Sequence, residues 1–177
     1  MGLKKIILIV TLFSISLSCF SQNKQEIRGK YKSFVLEDTP GYYYVYSKEN
    51  IFNQSIPSYL NNTPIPNVEI KNQVLLNLFI RKYLMSFFIN YTGEFNNNIN
   101  PKIQLYSDRN GKITDISIMY PKEIGIIPIE ILEGFYQSIL NTCIDLQFNI
   151  KDERFNDAQW IVKLIEYESK DLQKGVL

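Results

Sequence analysis

No histidine occurs anywhere in the 177 residues. That absence removes the serine–histidine–acid triad, the cysteine–histidine dyad and the commonest transition-metal ligand together. Cysteine is scarce too, with Cys19 and Cys143 the two in the chain. The eight glycines stand singly, so no glycine-rich loop is present to cradle a phosphate. Basic residues are scattered and never form a run, and the electrostatic footprint of a nucleic-acid binder is missing. Nor does any apolar run approach the roughly 20 residues that cross a bilayer as a helix.

One shorter apolar run opens the chain. Lys4 and Lys5 precede a greasy stretch from Ile6 to Leu17, and small residues follow. This is the layout of a secretory signal peptide. Cleavage after Ser21 would place Cys19 at the −3 position and make Gln22 the new N-terminus, giving a leader over 1–21 and an exported chain over 22–177. A rival processing route lipidates Cys19 after Ser16-Leu17-Ser18, although the usual lipoprotein pattern has Leu where Ser16 stands. Losing Lys4 and Lys5 takes the 19 basic residues to 17 against 18 acidic ones, a net charge of −1. After simple cleavage Cys143 remains alone, so no internal disulfide can form and the core must hold the fold by itself. With 45% apolar residues and 14% aromatics, the chain has the material for that.

The strongest local signal lies in Pro101 to Tyr120. Asn110-Gly111 between two alternating runs predicts a tight type I′ hairpin with φ > 0 at both residues. Pairing Arg109 with Lys112 then sets Leu105 opposite Ile116 and Ile103 opposite Ile118 on an apolar face. Gln104 meets Ser117 and Tyr106 meets Asp115 on a face expected to be wet. Upstream, residues 30–50 read as another β-hairpin, with strands at 31–37 and 42–48 around Asp38-Thr39-Pro40-Gly41. Pro-Gly suits a type II turn, which fits tight hairpins poorly, so splayed strands or a longer connection are expected. Residues 22–30 are polar and expected to fray. Residues 51–67 carry Pro57, Pro64 and Pro66 and form an irregular connector.

Two helices are expected. Residues 69–89 read as a central helix buried on most of its surface, with Gln73, Asn77 and Arg81 as a thin polar stripe and Arg81-Lys82 arguing against a membrane span. Residues 128–142 read as an amphipathic helix, with Pro128 in its first turn and Glu130 and Glu133 at the positive end of its dipole. Leu132, Phe135, Tyr136, Ile139, Leu140 and Cys143 form its apolar face, which makes Cys143 a buried small hydrophobe rather than a nucleophile. Residues 144–150 alternate as a strand. Residues 159–167 are apolar on both faces, which places a last strand centrally in the sheet or under a second layer.

Chemistry is hard to find. Asp108-x-Asn110-Gly111 echoes the start of a calcium loop, but the twelfth position holds Met119 where a glutamate is needed. The carboxylate pairs Glu130 with Glu133 and Asp152 with Glu153 read as solvated surface charge, although two acids at the right separation suffice for a glycosidase. No catalytic residue, metal ligand or cofactor site is assigned. The remaining candidates are Tyr42, Tyr43, Tyr44 and Tyr46, whose aromatic rings suit a protein partner or a sugar ring, or simply favour a strand.

The run Ile103-Gln104-Leu105-Tyr106-Ser107-Asp108-Arg109-Asn110-Gly111-Lys112-Ile113-Thr114-Asp115-Ile116, followed by an amphipathic helix and a closing β-run, resembles the C-terminal domain of TonB-type energy transducers over residues 70–168. Where that family has a Trp-x-Phe-x-Pro-Ala-like run, this chain has Cys143-Ile144-Asp145-Leu146-Gln147-Phe148. The membrane-spanning helix and proline-rich spacer of a transducer are also missing from the sequence, so the resemblance implies a shared fold and not energy transduction.

The expectation is therefore an α+β domain, an antiparallel β-sheet of about four to six strands with two packed helices in the order β-β-α-β-β-α-β-β. It is exported to the periplasm or beyond, or lipid-anchored to the envelope through Cys19, which is its only expected membrane contact. It is non-catalytic, and it recognises an envelope protein through a sheet edge or the tyrosine-rich hairpin. Binding of a small ligand or glycan is the alternative, a carboxylate hydrolase a third, and no nucleic-acid partner is expected.

Overall fold

The computed structural model describes residues 23–50, 67–89, 100–148, 160–168 and 171. The leader with Cys19, Ser21 and Gln22, the connector over 51–66 and the pair Asp152–Glu153 lie outside the described residues. The elements in chain order are β1 (Asn23–Arg28), β2 (Ser33–Thr39), β3 (Tyr42–Ser47), β4 (Glu69–Lys71), α1 (Gln73–Tyr83), α2 (Met85–Phe88), β5 (Lys102–Ser107), β6 (Ile113–Pro121), α3 (Ile129–Leu140), β7 (Asp145–Gln147) and β8 (Ile161–Glu166). Six strands form one antiparallel sheet in the order β1-β2-β3-β6-β5-β8, and β4 and β7 pair separately. The N-terminal hairpin extends the sheet through β3, which pairs with β6 from Tyr42↔Pro121 to Tyr46↔Ser117.

The β5–β6 register is the one the pattern predicts, with Ile103↔Ile118, Leu105↔Ile116, Gln104↔Ser117 and Tyr106↔Asp115. The turn that produces it is different. Only Gly111 has positive φ, at 86°, and the Gly111 amide bonds the Asp108 carbonyl at 3.1 Å while Asp108 N–H reaches Lys112 O at 3.0 Å. This is a three-residue loop, not the two-residue type I′ turn. Such a loop alone would shift the whole register by one. A bulge corrects it, because Ser107 pairs with Ile113 while Tyr106 pairs with Asp115, leaving Thr114 exposed and unpaired. Asp108 Oδ1 accepts the amides of Asn110 (2.8 Å) and Lys112 (3.0 Å), which accounts for the calcium-like spelling as an aspartate-closed turn.

The β2–β3 hairpin is tighter than expected. Thr39 pairs directly with Tyr42, Gly41 takes φ 91°, and the Thr39 hydroxyl donates to the Tyr42 carbonyl at 2.7 Å, clasping the strand ends across Pro40-Gly41. β1, expected to fray, pairs with β2 along its length from Asn23↔Asp38 to Arg28↔Ser33. Lys24 meets Glu37 at 2.6 Å and Glu26 meets Lys48 at 2.7 Å, so charged pairs across strands take the place of an apolar alternation.

α1 is shorter than residues 69–89 and far from buried all round. Glu69–Lys71 is strand, Asn72 turns the chain at φ 61°, and the helix breaks at Leu84 before α2. Leu76, Ile80, Leu84 and Phe88, four apart, form the buried stripe, whereas Val74 and Leu78 are 76% and 54% exposed. α3 lies as expected with Leu132, Phe135, Tyr136 and Ile139 buried. Cys143 is exposed, correcting its assignment to the core. The Thr142 hydroxyl donates to the carbonyls of Ser138 and Ile139, the helical spacing stops, and Ile144 enters the core in place of Cys143. β8 is an edge strand, not a central one. It is apolar on both faces because Ile161 faces the core while Leu164 lines a concavity on the opposite side of the sheet. Among the described residues no helix is long and apolar enough to cross a membrane.

Candidate functional site

Alternation along β3 divides the four candidate tyrosines between the two faces of the sheet. Tyr43 points to the helix side, where its ring centroid lies 5.7 Å from that of buried Tyr120. Tyr42, Tyr44 and Tyr46 occupy the opposite, open face. The structure thus groups three of the four and gives Tyr43 to packing.

The open face is not the wet surface that the β5–β6 pattern suggests. Ser117 and Tyr106 are 1% and 4% exposed. The cause is a hydrogen-bonded hub on Gln104, whose Oε1 accepts from Ser117 Oγ at 2.7 Å, Tyr106 Oη at 2.9 Å and Tyr44 Oη at 3.0 Å. The Tyr106 ring in turn packs on Trp160 with centroids 5.7 Å apart. Tyr44 lies over the hub with its ring 5.2 Å from that of Tyr46, and Tyr46 donates to Glu37 Oε1 at 2.6 Å. Burial pushes the Tyr44 and Tyr106 phenols up. Both stay neutral near pH 7 and act as hydrogen-bond donors, not as phenolate nucleophiles.

Beside this hub a concavity of about 190 Å³ opens, lined by Tyr42, Tyr44, Lys102, Gln104, Met119 and Leu164. The tyrosines were legible in the sequence. Lys102, Gln104, Met119 and Leu164 were not, because three of them read as the solvated half of an alternating strand and Leu164 as core. The only retrievable signal was the β5–β6 register, which already set Gln104 against Ser117. A second cavity, between Phe34, Leu132, Phe135 and the sheet, measures about 10 Å³, room for one water at most.

Among the described residues the acids do not converge on the concavity. Glu133, expected to be solvated at the start of α3, is 6% exposed, with both carboxylate oxygens used by the β1–β2 turn: Oε1 accepts the amides of Tyr31 (2.6 Å) and Lys32 (2.8 Å), Oε2 that of Lys30 (2.9 Å). Its intended partner Glu130 is exposed. Asp115, 5% exposed, accepts from Tyr136 Oη at 2.7 Å and from the Ile116 amide at 2.8 Å, and Lys32 Nζ reaches Tyr136 Oη at 2.9 Å. Among the described residues no group of three or more histidine, cysteine or carboxylate side chains is placed to hold a metal ion.

Asp115 gives a pH-dependent prediction. Burial raises its carboxyl above the ordinary value, against the opposing hydrogen bonds from Tyr136 and Ile116. As pH rises past the ordinary carboxylate value, the unfolded chain loses this proton before the folded one does, so the group costs stability on the way up. Asp115→Asn keeps the Oδ1 acceptor and removes the titration. Urea unfolding from pH 4 to pH 7 is expected to show the variant gaining on the parent as pH rises; a gain on lowering the pH would mean that the native state favours the carboxylate.

No family model matches the chain, and no curated protein is similar to it. Among solved structures, a DUF5043 family protein from Bacteroides uniformis is similar over 83% of this chain and 92% of its own, with a TM-score of 0.58 and 10% sequence identity. At that identity the likeness is one of fold.

Proposed function

We propose that this chain is an exported, non-catalytic envelope domain that recognises its target through the open, tyrosine-bearing face of the sheet. The observation that carries the reading is the concavity between Tyr42 and Leu164, where the β3 aromatics and the β8 edge form one continuous surface. A protein target can add a strand at that edge and seat a side chain in the concavity. Export rests on the leader-like first 21 residues, with simple cleavage before Gln22 or lipidation of Cys19 as the two processing routes. A TonB-like core over residues 70–168 belongs to the proposal at the level of element order only: helix, hairpin, helix and closing strands.

A second reading, binding of a small ligand or glycan, has its own support in the lining, which combines ring faces with polar groups at about 190 Å³. Pockets for drug-sized ligands run to roughly 300–1,000 Å³, so this one suits a single ring or one protruding side chain.

Tyr42 tests both readings. It lines the concavity and takes no part in the Gln104 hub, so Tyr42→Ser is expected to leave the unfolding free energy, read by urea denaturation, within about 0.5 kcal/mol of the parent while lowering capture of the envelope target at least about tenfold, the loss of a central aromatic contact. Tyr43→Ser, on the packed face, is expected to lower stability instead. Unchanged capture by Tyr42→Ser would remove the open face from the function.

A further inference from the structure

Among the described residues the lining of the concavity is rich in hydrogen-bond donors and contains no carboxylate. Gln104 sets this polarity. Its carbonyl oxygen is committed to three hydroxyl donors, so the amide nitrogen, on the other arm of the same planar group, is the part left to face the concavity. Lys102 stands two residues away on the same face of β5. Its ammonium lies 3.4 Å from Glu166 Oε2, a contact that leaves further N–H donors for an incoming oxygen. Glu166 is held from its other side by Asn100 Nδ2 at 3.0 Å; that bond and the Lys102 charge keep its carboxyl below the usual range. Glu166 remains an anion paired with the lysine and does not itself line the concavity. The walls are the half-buried rings of Tyr42 and Tyr44 with Met119 and Leu164.

We propose that this concavity is a subsite for one carboxylate-bearing ring, the chemistry of a uronic acid unit. The inference rests on the ligand-binding reading of the open face and adds what is bound there. The ring lies against the tyrosines and Leu164, and the carboxylate takes the Gln104 N–H and the Lys102 ammonium, a charge-assisted pair of hydrogen bonds. A neutral hexose of the same size fills the space but leaves both donors without an anion. Discrimination therefore comes from the carboxylate, since a site built to bond a polar group rejects the analogue lacking it.

The test titrates the purified full chain, with amide and side-chain NMR signals as readout, against galacturonate, tri-galacturonate and galactose. Galacturonate is expected to shift the Tyr42, Gln104 and Leu164 signals and to bind at least about tenfold more tightly than galactose, the worth of one charge-assisted bond. Lys102→Met, at the rim and clear of the Gln104 hub, is expected to erase that preference; Gln104→Leu should do the same wherever its urea midpoint shows it folded. Tighter binding of the trimer than of the monomer would extend the subsite along the face, whereas equal binding confines it to one ring; either outcome supports the subsite. Equal affinity for galactose and galacturonate, or a preference that survives Lys102→Met, overturns it. If galacturonate moves none of these signals while target capture still depends on Tyr42, the inference fails and the recognition reading stands. If capture is also indifferent to Tyr42→Ser, both fail.

Discussion

Replacing Gly111 by alanine is expected to destabilise the protein by about 3–4 kcal/mol, combining left-handed backbone strain with a lost backbone hydrogen bond. The backbone at Gly111 has φ 86°, a conformation that L side chains rarely adopt, and an added Cβ would lie 1.9 Å from the Leu146 carbonyl oxygen. Nothing flexible can yield, because that oxygen belongs to the backbone of β7, and the Leu146 amide itself donates to Gly111 O at 2.7 Å. Pushing β7 away would strain its pairing with β4, where Ile70 meets Leu146, and the neighbouring bridge from Lys112 to Asp145. The companion substitution is Asn110→Ala. In a type I′ turn Asn110 would need φ > 0, and alanine there would cost about 1–2 kcal/mol. Here its φ is not positive and its only contribution to the turn is a backbone amide, so the cost is expected to stay below about 0.5 kcal/mol. Chemical denaturation of both variants decides the matter: a loss of about 1 kcal/mol or more at Asn110 would restore the two-residue turn.

That contrast marks how far the sequence could be read. The facing of Ile103, Leu105, Ile116 and Ile118 was legible because a buried face tolerates no one-residue slip. The loop beneath it was not, because a longer loop and a compensating bulge at Thr114 give the same outer register as a shorter loop without one. Periodicity located α3 but carried Cys143 one turn too far, since spacing alone does not register a threonine that ends a helix by taking its carbonyls. The same blindness affected β1, whose partners are charges across a strand, and α1, where apolar composition was read as burial although Val74 and Leu78 face outward. At the candidate site the aromatic run offered Tyr42, Tyr43, Tyr44 and Tyr46 without dividing them, and strand alternation sets Tyr43 on the packed face apart from the other three. Nothing in the local pattern around Gln104 signals that its carbonyl oxygen gathers three hydroxyls. That arrangement joins β3, β5 and β6, residues far apart in the chain.

Glu133 carries the second large effect, and its role was invisible in the sequence for the same reason: its partners lie about a hundred residues upstream. Gly29 lets the β1–β2 turn approach it, since a Cβ there would sit 2.6 Å from Glu133 Oε1, and the amides of Lys30, Tyr31 and Lys32 then converge on the two oxygens. Burial works to raise this carboxyl, and the three amide bonds, helped by the Lys30 charge, outweigh it and hold it below its ordinary value. Glu133→Leu leaves those amides facing an apolar side chain and is expected to cost about 2–4 kcal/mol, as for buried donors deprived of an anionic acceptor. Glu133→Gln retains one carbonyl oxygen, loses the charge and should fall between Leu and the parent. The sign with pH is opposite to that of Asp115. A carboxyl with a depressed folded value contributes its stability above the unfolded value and loses it as pH falls through the folded one. The gap between the parent and Glu133→Gln should therefore narrow on acidification from pH 6 toward pH 3, as read from urea midpoints. A gap that stays constant over that range would mean that the turn is held by shape and not by the charge on Glu133.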